Sequence, residues 1–261
     1  MPELVRHLHR RRLRSTIIWG LSIALTSALM AAAFTAIDPA AMESLTKTVD
    51  PKLLEAFGST PESFSSADGF MAGKLLSYMP LILGFFPILM ASRGIAGAEA
   101  DGSLDVLVTQ PIPRWQIPAS LFIASVIGLV EILVIYVVGT ELAVVLTGID
   151  LSLGKVVTSA IGLIPISLAF GALALMLSAR VRKPGEVTGI AGGVLVASYL
   201  LNTIVLILPD LDDLKILTAF HWYGSPIERG LDGTGTAVLL VAAALFAAAS
   251  IPLFNRRDIL A

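Results

Sequence analysis

Six long stretches almost free of charge constrain what this chain can fold into more than any other feature. Residues 16–37 contain no charged side chain, and Arg6, Arg10, Arg11, Arg12 and Arg14 stand just before them. A helix of about 20 apolar residues crosses the roughly 30 Å hydrocarbon core of a bilayer, so this stretch has the length of a membrane span. Five more follow, at about residues 75–91, 117–147, 156–179, 187–208 and 236–254. Unpaired backbone polar groups are costly in hydrocarbon, so spans of this kind are read as helices. The expected fold is all-α: a polytopic membrane protein with six transmembrane helices in one domain over residues 1–261. Its apolar core is too long for a cleaved secretory signal at residues 16–37.

Composition agrees and removes several functions. Only 15% of the residues are charged, against about a quarter in soluble chains. A net charge of -2 leaves no basic excess with which to neutralise phosphates, so nucleic acid is not an expected partner. With no cysteine, disulfides, thiolate metal sites and cysteine nucleophiles are excluded. Two of the three histidines, His7 and His9, lie in the arginine-rich stretch, which argues against a histidine metal cluster.

The third stretch is apolar from Ile117 to Ile149 apart from Glu131 and Glu141. As one helix it would be about 50 Å long, more than one crossing needs. Charge placement decides between one long helix and two short re-entrant pieces. With six spans and the amino terminus inside, the inner segments hold the five leading arginines, Arg93, Arg114, Arg180, Arg182, Lys183, Arg256 and Arg257. Twelve of the eighteen basic residues then fall inside, and twelve of the twenty acids outside. Splitting the third span would move residues 180–183 outside and weaken this positive-inside bias. One long third helix with both termini cytoplasmic is the expectation.

The outer loops carry local signals. Asp50-Pro51 suits a helix start and Gly58 a helix end, so a short amphipathic helix is expected over residues 51–57. The segment 209–235 contains Phe220, His221, Trp222 and Tyr223. Aromatic residues of this kind favour the membrane interface, which predicts an interfacial or re-entrant helix. Pro80, Pro87 and Pro165 are expected to kink their spans.

The inner loop at residues 97–114 is the most informative. Leu104, Leu107 and Val108 are spaced i, i+3 and i+4, one apolar face of a short helix. Ser103 is expected to cap its start, Pro111 and Pro113 to end it, and Glu99, Asp101 and Asp105 suit its amino-terminal dipole. Arg114 and Trp115 then anchor the third span at the interface.

The run from Gly102 through Ser103, Leu104, Asp105, Leu107 and Pro111 to Arg114 resembles the Gly-Thr-Leu-Glu-x-Leu-Leu-x-x-Pro-x-x-Arg signature of the ABC-type-2 transporter permeases. The acidic Glu99 and Asp101 before it, the six spans and the aromatic segment before span six resemble that family too. The resemblance implies that residues 97–114 form a coupling helix docking on a separate ABC ATP-binding subunit, through Glu99, Asp101, Gly102, Ser103, Leu104, Asp105, Leu107, Val108, Pro111 and Arg114. It implies a plasma-membrane exporter completed by a second permease subunit, as a homo- or heterodimer. ATP and Mg would sit on the partner, with no cofactor bound by this chain. The sequence departs from the family at Leu121, where a lysine is common. It has no Gly-x-x-x-x-Gly-Lys-Ser/Thr loop, so enzymatic ATP hydrolysis is not expected of it.

Two further features carry expectations. An ionisable residue inside a span is a functional candidate because its desolvation is costly. Counted from Pro118, Glu131 lies about 20 Å along the helix and Glu141 about 34 Å. Glu131 is therefore expected near mid-membrane, facing the bundle interior, and Glu141 near the outer interface. An ion-coupled secondary transporter using Glu131 is the alternative reading. Gly189 and Gly193, followed by Ala197, form a small-residue stripe, expected to pack within the chain.

Overall fold

The computed structural model describes residues 1–37, 48 and 66–257, and every regular element among them is helical. The helix expected at residues 51–57 lies outside the described residues. Six helices are long and apolar enough to cross a membrane. They are α1 (Pro2–Ala36), α3 (Met79–Ser92, whose span continues to Ala100), α5 (Gln116–Thr147), α6 (Leu153–Ser178), α7 (Pro184–Ile207) and α10 (Gly233–Asn255). Between them lie α2 (Ala67–Met71), α4 (Ser103–Val108), α8 (Ala219–Tyr223) and α9 (Pro226–Arg229). An even number of spans returns both described chain ends to one end of the bundle. That end, called here the basic end, also carries residues 97–114 and 178–184.

The third span is one uninterrupted helix of 32 residues. Gly148 ends it in the left-handed conformation (φ 70°), which glycine adopts without Cβ strain. Proline has the opposite effect in the second span. Pro80 has no N–H to give and its ring crowds the carbonyl four residues back. The chain answers by widening into a π-helix at Ala72–Leu76 and a turn before α3 begins. Pro87 and Pro165, by contrast, lie inside continuous helices.

α6 is the central helix, packed against α3, α5, α7 and α10. Its buried face includes Gly162, Leu163, Ile166, Ala169, Gly171 and Ala172. Small residues let backbones approach closely where hydrophobicity cannot drive helices together. A Cβ on Gly171 would stand 2.5 Å from Pro87 Cβ. α1 and α5 interlock in the same way: a Cβ on Gly20 would come within 2.7 Å of Ile135, and one on Gly139 within 2.5 Å of Ala24. Between them Ser27 and Thr140 share a buried hydrogen bond of 2.7 Å.

No described residue packs on the stripe at Gly189 and Gly193. Both glycines are exposed, and a Cβ on either would meet nothing within 4 Å. α7 packs instead through Val187, Ala191, Gly192 and Leu195, with Gly192 against Phe85. This corrects the expected intramolecular packing. The stripe and the buried face are different sides of one helix, and spacing alone did not say which side meets α3.

Residues 209–229 fold back along α7. Ala219 donates to the Ser198 hydroxyl at 2.9 Å, Thr218 donates to Asn202 Oδ1 at 3.0 Å, and the Phe220 and Tyr199 rings meet at 5.2 Å. Ser198 lies nine residues before the end of α7, so the segment dips about 13 Å below it. It is a re-entrant segment, closed by Pro226 against Gly162.

Gly171→Ala is expected to cost about 1–3 kcal/mol through overpacking. Gly193→Ala should be neutral or slightly stabilising through helix propensity. Thermal unfolding in detergent, followed by tryptophan fluorescence, measures the difference.

Candidate functional site

The loop after the second span is tied down from four directions at the basic end. α3 leaves the membrane through a second π-helix, Arg93–Gly97, a widened turn of a kind common where a helix does more than span. Ser178, at the end of α6, enters it: its Oγ accepts from Ala96 N and donates to Ala91 O, both at 3.1 Å. On the other side Thr188 of α7 donates to Ser92 Oγ at 3.0 Å. Leu121 of α5 lies buried against Gly94. At this position a lysine would bring its charge against the π-helix, and this chain carries leucine.

Arg257 forms the second tie. It follows α10 and is only 7% exposed. Its guanidinium pairs with Glu99, donates to the carbonyl of Ser178, and donates to the carbonyl of Val181 at 3.3 Å. Those carbonyls lie at the carboxy-terminal end of α6, where helix carbonyls lack intrahelical partners and a cation is favoured by the dipole. Arg114 donates to the Arg257 carbonyl at 3.3 Å, and Arg182 stands 3.6 Å from the other Glu99 oxygen. One carboxylate and one planar guanidinium thus join the exit of α3, the end of α6 and the end of α10, and Arg114 adds the entry to α5 through the Arg257 carbonyl. Arginine suits this because its fork serves several acceptors in one plane.

α4 hangs from this clamp. Its cap residue is Gly102, in the left-handed conformation (φ 74°), and not Ser103 as expected. The chain must reverse between Glu99 and Ser103, and only glycine does so without strain. Ser103 falls in the first turn, where its N–H donates to Asp101 Oδ1 at 3.0 Å and its hydroxyl to the Ala98 carbonyl at 3.3 Å. Hydrogen bonding by the Ser103 hydroxyl, and then by its amide, holds the Asp101 carboxyl below the usual carboxylate range.

The apolar face of α4 points inward. Leu104 is fully buried in the main core, and Leu107 and Val108 pack against it. Outward, Asp101, Gly102, Asp105, Thr109, Gln110, Pro111 and Pro113 are exposed. Of the ten residues expected to dock, the fold therefore presents Asp101, Gly102, Asp105 and Pro111. It spends Leu104, Leu107 and Val108 on seating the helix, and Glu99, Ser103 and Arg114 on holding it. Arg257 was missed. The sequence offers only an Arg256-Arg257 pair after the last span, and does not say which of the two turns inward.

The two carboxylates of α5 have different surroundings. Glu131 pairs with His9 at 3.2 Å, with its side chain 37% exposed and Oε2 without a hydrogen-bond partner. Leu121, ten residues before it, meets Gly94 at the basic end, so Glu131 stands about 15 Å further along the bundle, where His9 reaches it from the arginine-rich stretch of α1. Glu141 follows Gly139 and Thr140, which face Ala24 and Ser27, and one of its oxygens is buried without a partner. Tyr136, five residues before it, meets Ser159, six residues into α6, so Glu141 lies toward the end of the bundle opposite the basic end.

Among the described residues no group of acids and histidines is gathered to hold a metal. The family described as ABC-2 family transporter protein matches residues 4–259 of the chain. No individual curated protein matches it closely enough to count as a relative.

Ser178→Ala removes the hydrogen bonds to Ala96 in the π-helix and to Ala91 just before it, and is expected to cost about 1–2 kcal/mol, read as a lowered melting temperature. A carboxyl whose pKa is depressed stabilises above its unfolded value and loses that contribution as pH falls through its folded one. Protection of the Ser103 amide, its exchange relative to the intrinsic rate at the same pH, should therefore hold at neutral pH and be lost as pH falls through the lowered pKa of Asp101.

Proposed function

Since the chain belongs to the ABC-2 family of transporter proteins, we propose that it is the membrane-spanning subunit of an ATP-driven exporter, coupled to a separate ATP-binding subunit through α4. Membership in the family makes it a multi-pass membrane permease of an ABC transporter. The finer reading adds direction, partner and contact surface. In it the basic end is cytoplasmic, the membrane is the plasma membrane, and the translocation pathway is completed by a second permease subunit, identical or not. ATP and Mg are held by the partner ATPase, not by this chain.

One observation carries the docking assignment. α4 is seated by its apolar face and clamped at its start, yet leaves Asp101, Gly102, Asp105 and Pro111 exposed. A helix that only rested on lipid would turn its leucines to the bilayer; here they are spent on the protein's own core. A short rigid element of this kind passes force between two bodies without deforming.

The solubilised protein is expected to co-purify with an ATPase that has a phosphate-binding loop. Asp105→Arg should weaken that association about ten-fold or more by placing a like or mismatched charge in the contact. Asp150→Arg, at the opposite end, should not. Equal recovery of the ATPase with Asp105→Arg would sink the docking assignment. Transport without any ATPase, driven by an ion gradient and lost in Glu131→Gln, would replace the reading with a secondary carrier.

A further inference from the structure

We infer that Arg257 is the positioning residue by which the arrangement of the spans sets the place of α4; the inference rests on the docking role proposed above and adds how movement reaches it. Arg257 touches neither α4 nor its exposed surface. It acts through Glu99, four residues before Ser103: its guanidinium joins Glu99 after α3 to the Ser178 and Val181 carbonyls at and just past the end of α6, and its backbone carbonyl accepts from Arg114 before α5.

Three features separate this arrangement from a simple staple. First, a buried guanidinium is a poor choice for stability alone, since well-packed apolar residues do as well or better than a buried ion pair. This one is 5% exposed at its side chain and leaves Nε without a partner. Second, Ser178 is used twice. Its hydroxyl holds the π-helix and its carbonyl receives Arg257. A shift at the end of α6 therefore moves both the root of the loop and the residue gripping Glu99. Third, the π-helix lies between α3 and Glu99. Such a turn holds one residue more than an α-turn, so changing it rotates and displaces everything that follows. Arg257 and Ser178 select one setting of that joint. α10, otherwise remote from the loop, is thereby coupled to it.

The chain lacks cysteine, so paired labels can be placed at residues 105 and 180 without background. Their distance distribution is measured in the full-length permease without any ATPase, with a control pair at residues 150 and 210 at the other end. A narrow distribution is expected in the starting protein. Arg257→Met and Glu99→Gln should broaden it while leaving the control pair unchanged. Arg257→Lys should fall between, since an ammonium keeps the charge but not the fork. In the assembled complex the same variants should retain the ATPase but lose permease-dependent ATP turnover about ten-fold, an ordinary coupling, with KM for ATP unchanged.

If Arg257→Met fails to fold, Glu99→Gln, which keeps shape and a hydrogen-bond acceptor, decides alone. A distribution that stays narrow in the folded variants overturns the inference, whether or not an ATPase binds. So does equal broadening of the control pair, which would make Arg257 a general packing residue. Broadening confined to residues 105 and 180, with no ATPase bound even by the starting protein, supports the positioning role and overturns the docking reading instead.

Discussion

A backbone in hydrocarbon must find its own hydrogen-bond partners, and the irregular parts of this protein are organised by that demand. Where helices are regular the demand is met within each span. Where they are not, a hydroxyl or guanidinium from a neighbour is brought in. Ser178 enters the π-helix after α3, Ser198 and Asn202 receive the re-entrant segment, and Arg257 occupies the carbonyls at the end of α6. Each of these three irregularities is thus also a tie between elements. The places where the chain departs from a plain span are the places where spans are coupled.

Close packing supplies the rest. Hydrophobicity does not favour one apolar helix against another inside a bilayer, so association relies on shape. Gly171 against Pro87 and Gly139 against Ala24 let α6 and α5 approach their neighbours closely. The exposed stripe of α7 has the same composition with no described residue on it. Composition alone therefore does not distinguish a used surface from an open one.

Much of the loop at residues 97–114 was legible from spacing. Leu104, Leu107 and Val108 predict a short helix with one apolar face, and α4 has it. The same pattern did not say where that face points. Facing leucines toward a partner subunit and facing them toward the protein's own core obey one periodicity, and only the bundle beneath α4 separates the two. Glu99 was likewise visible as an acid in the right loop, while its partner lies 158 positions away in sequence. No local signal reaches that far. Glu131 shows the same limit: rise per residue gives its distance along α5, while its partner His9 lies on another helix, 122 positions away.

The sequence by itself determined the solvent, the number of spans and the position of the polar loop, because these follow from run length and charge, which are local sums. The tertiary structure decided which side of each helix is used, which group Glu131 meets, and which of two adjacent arginines is buried. Those depend on how helices are rotated and offset against each other, and rotation is fixed by close approach at a few small residues. Run length does not encode it.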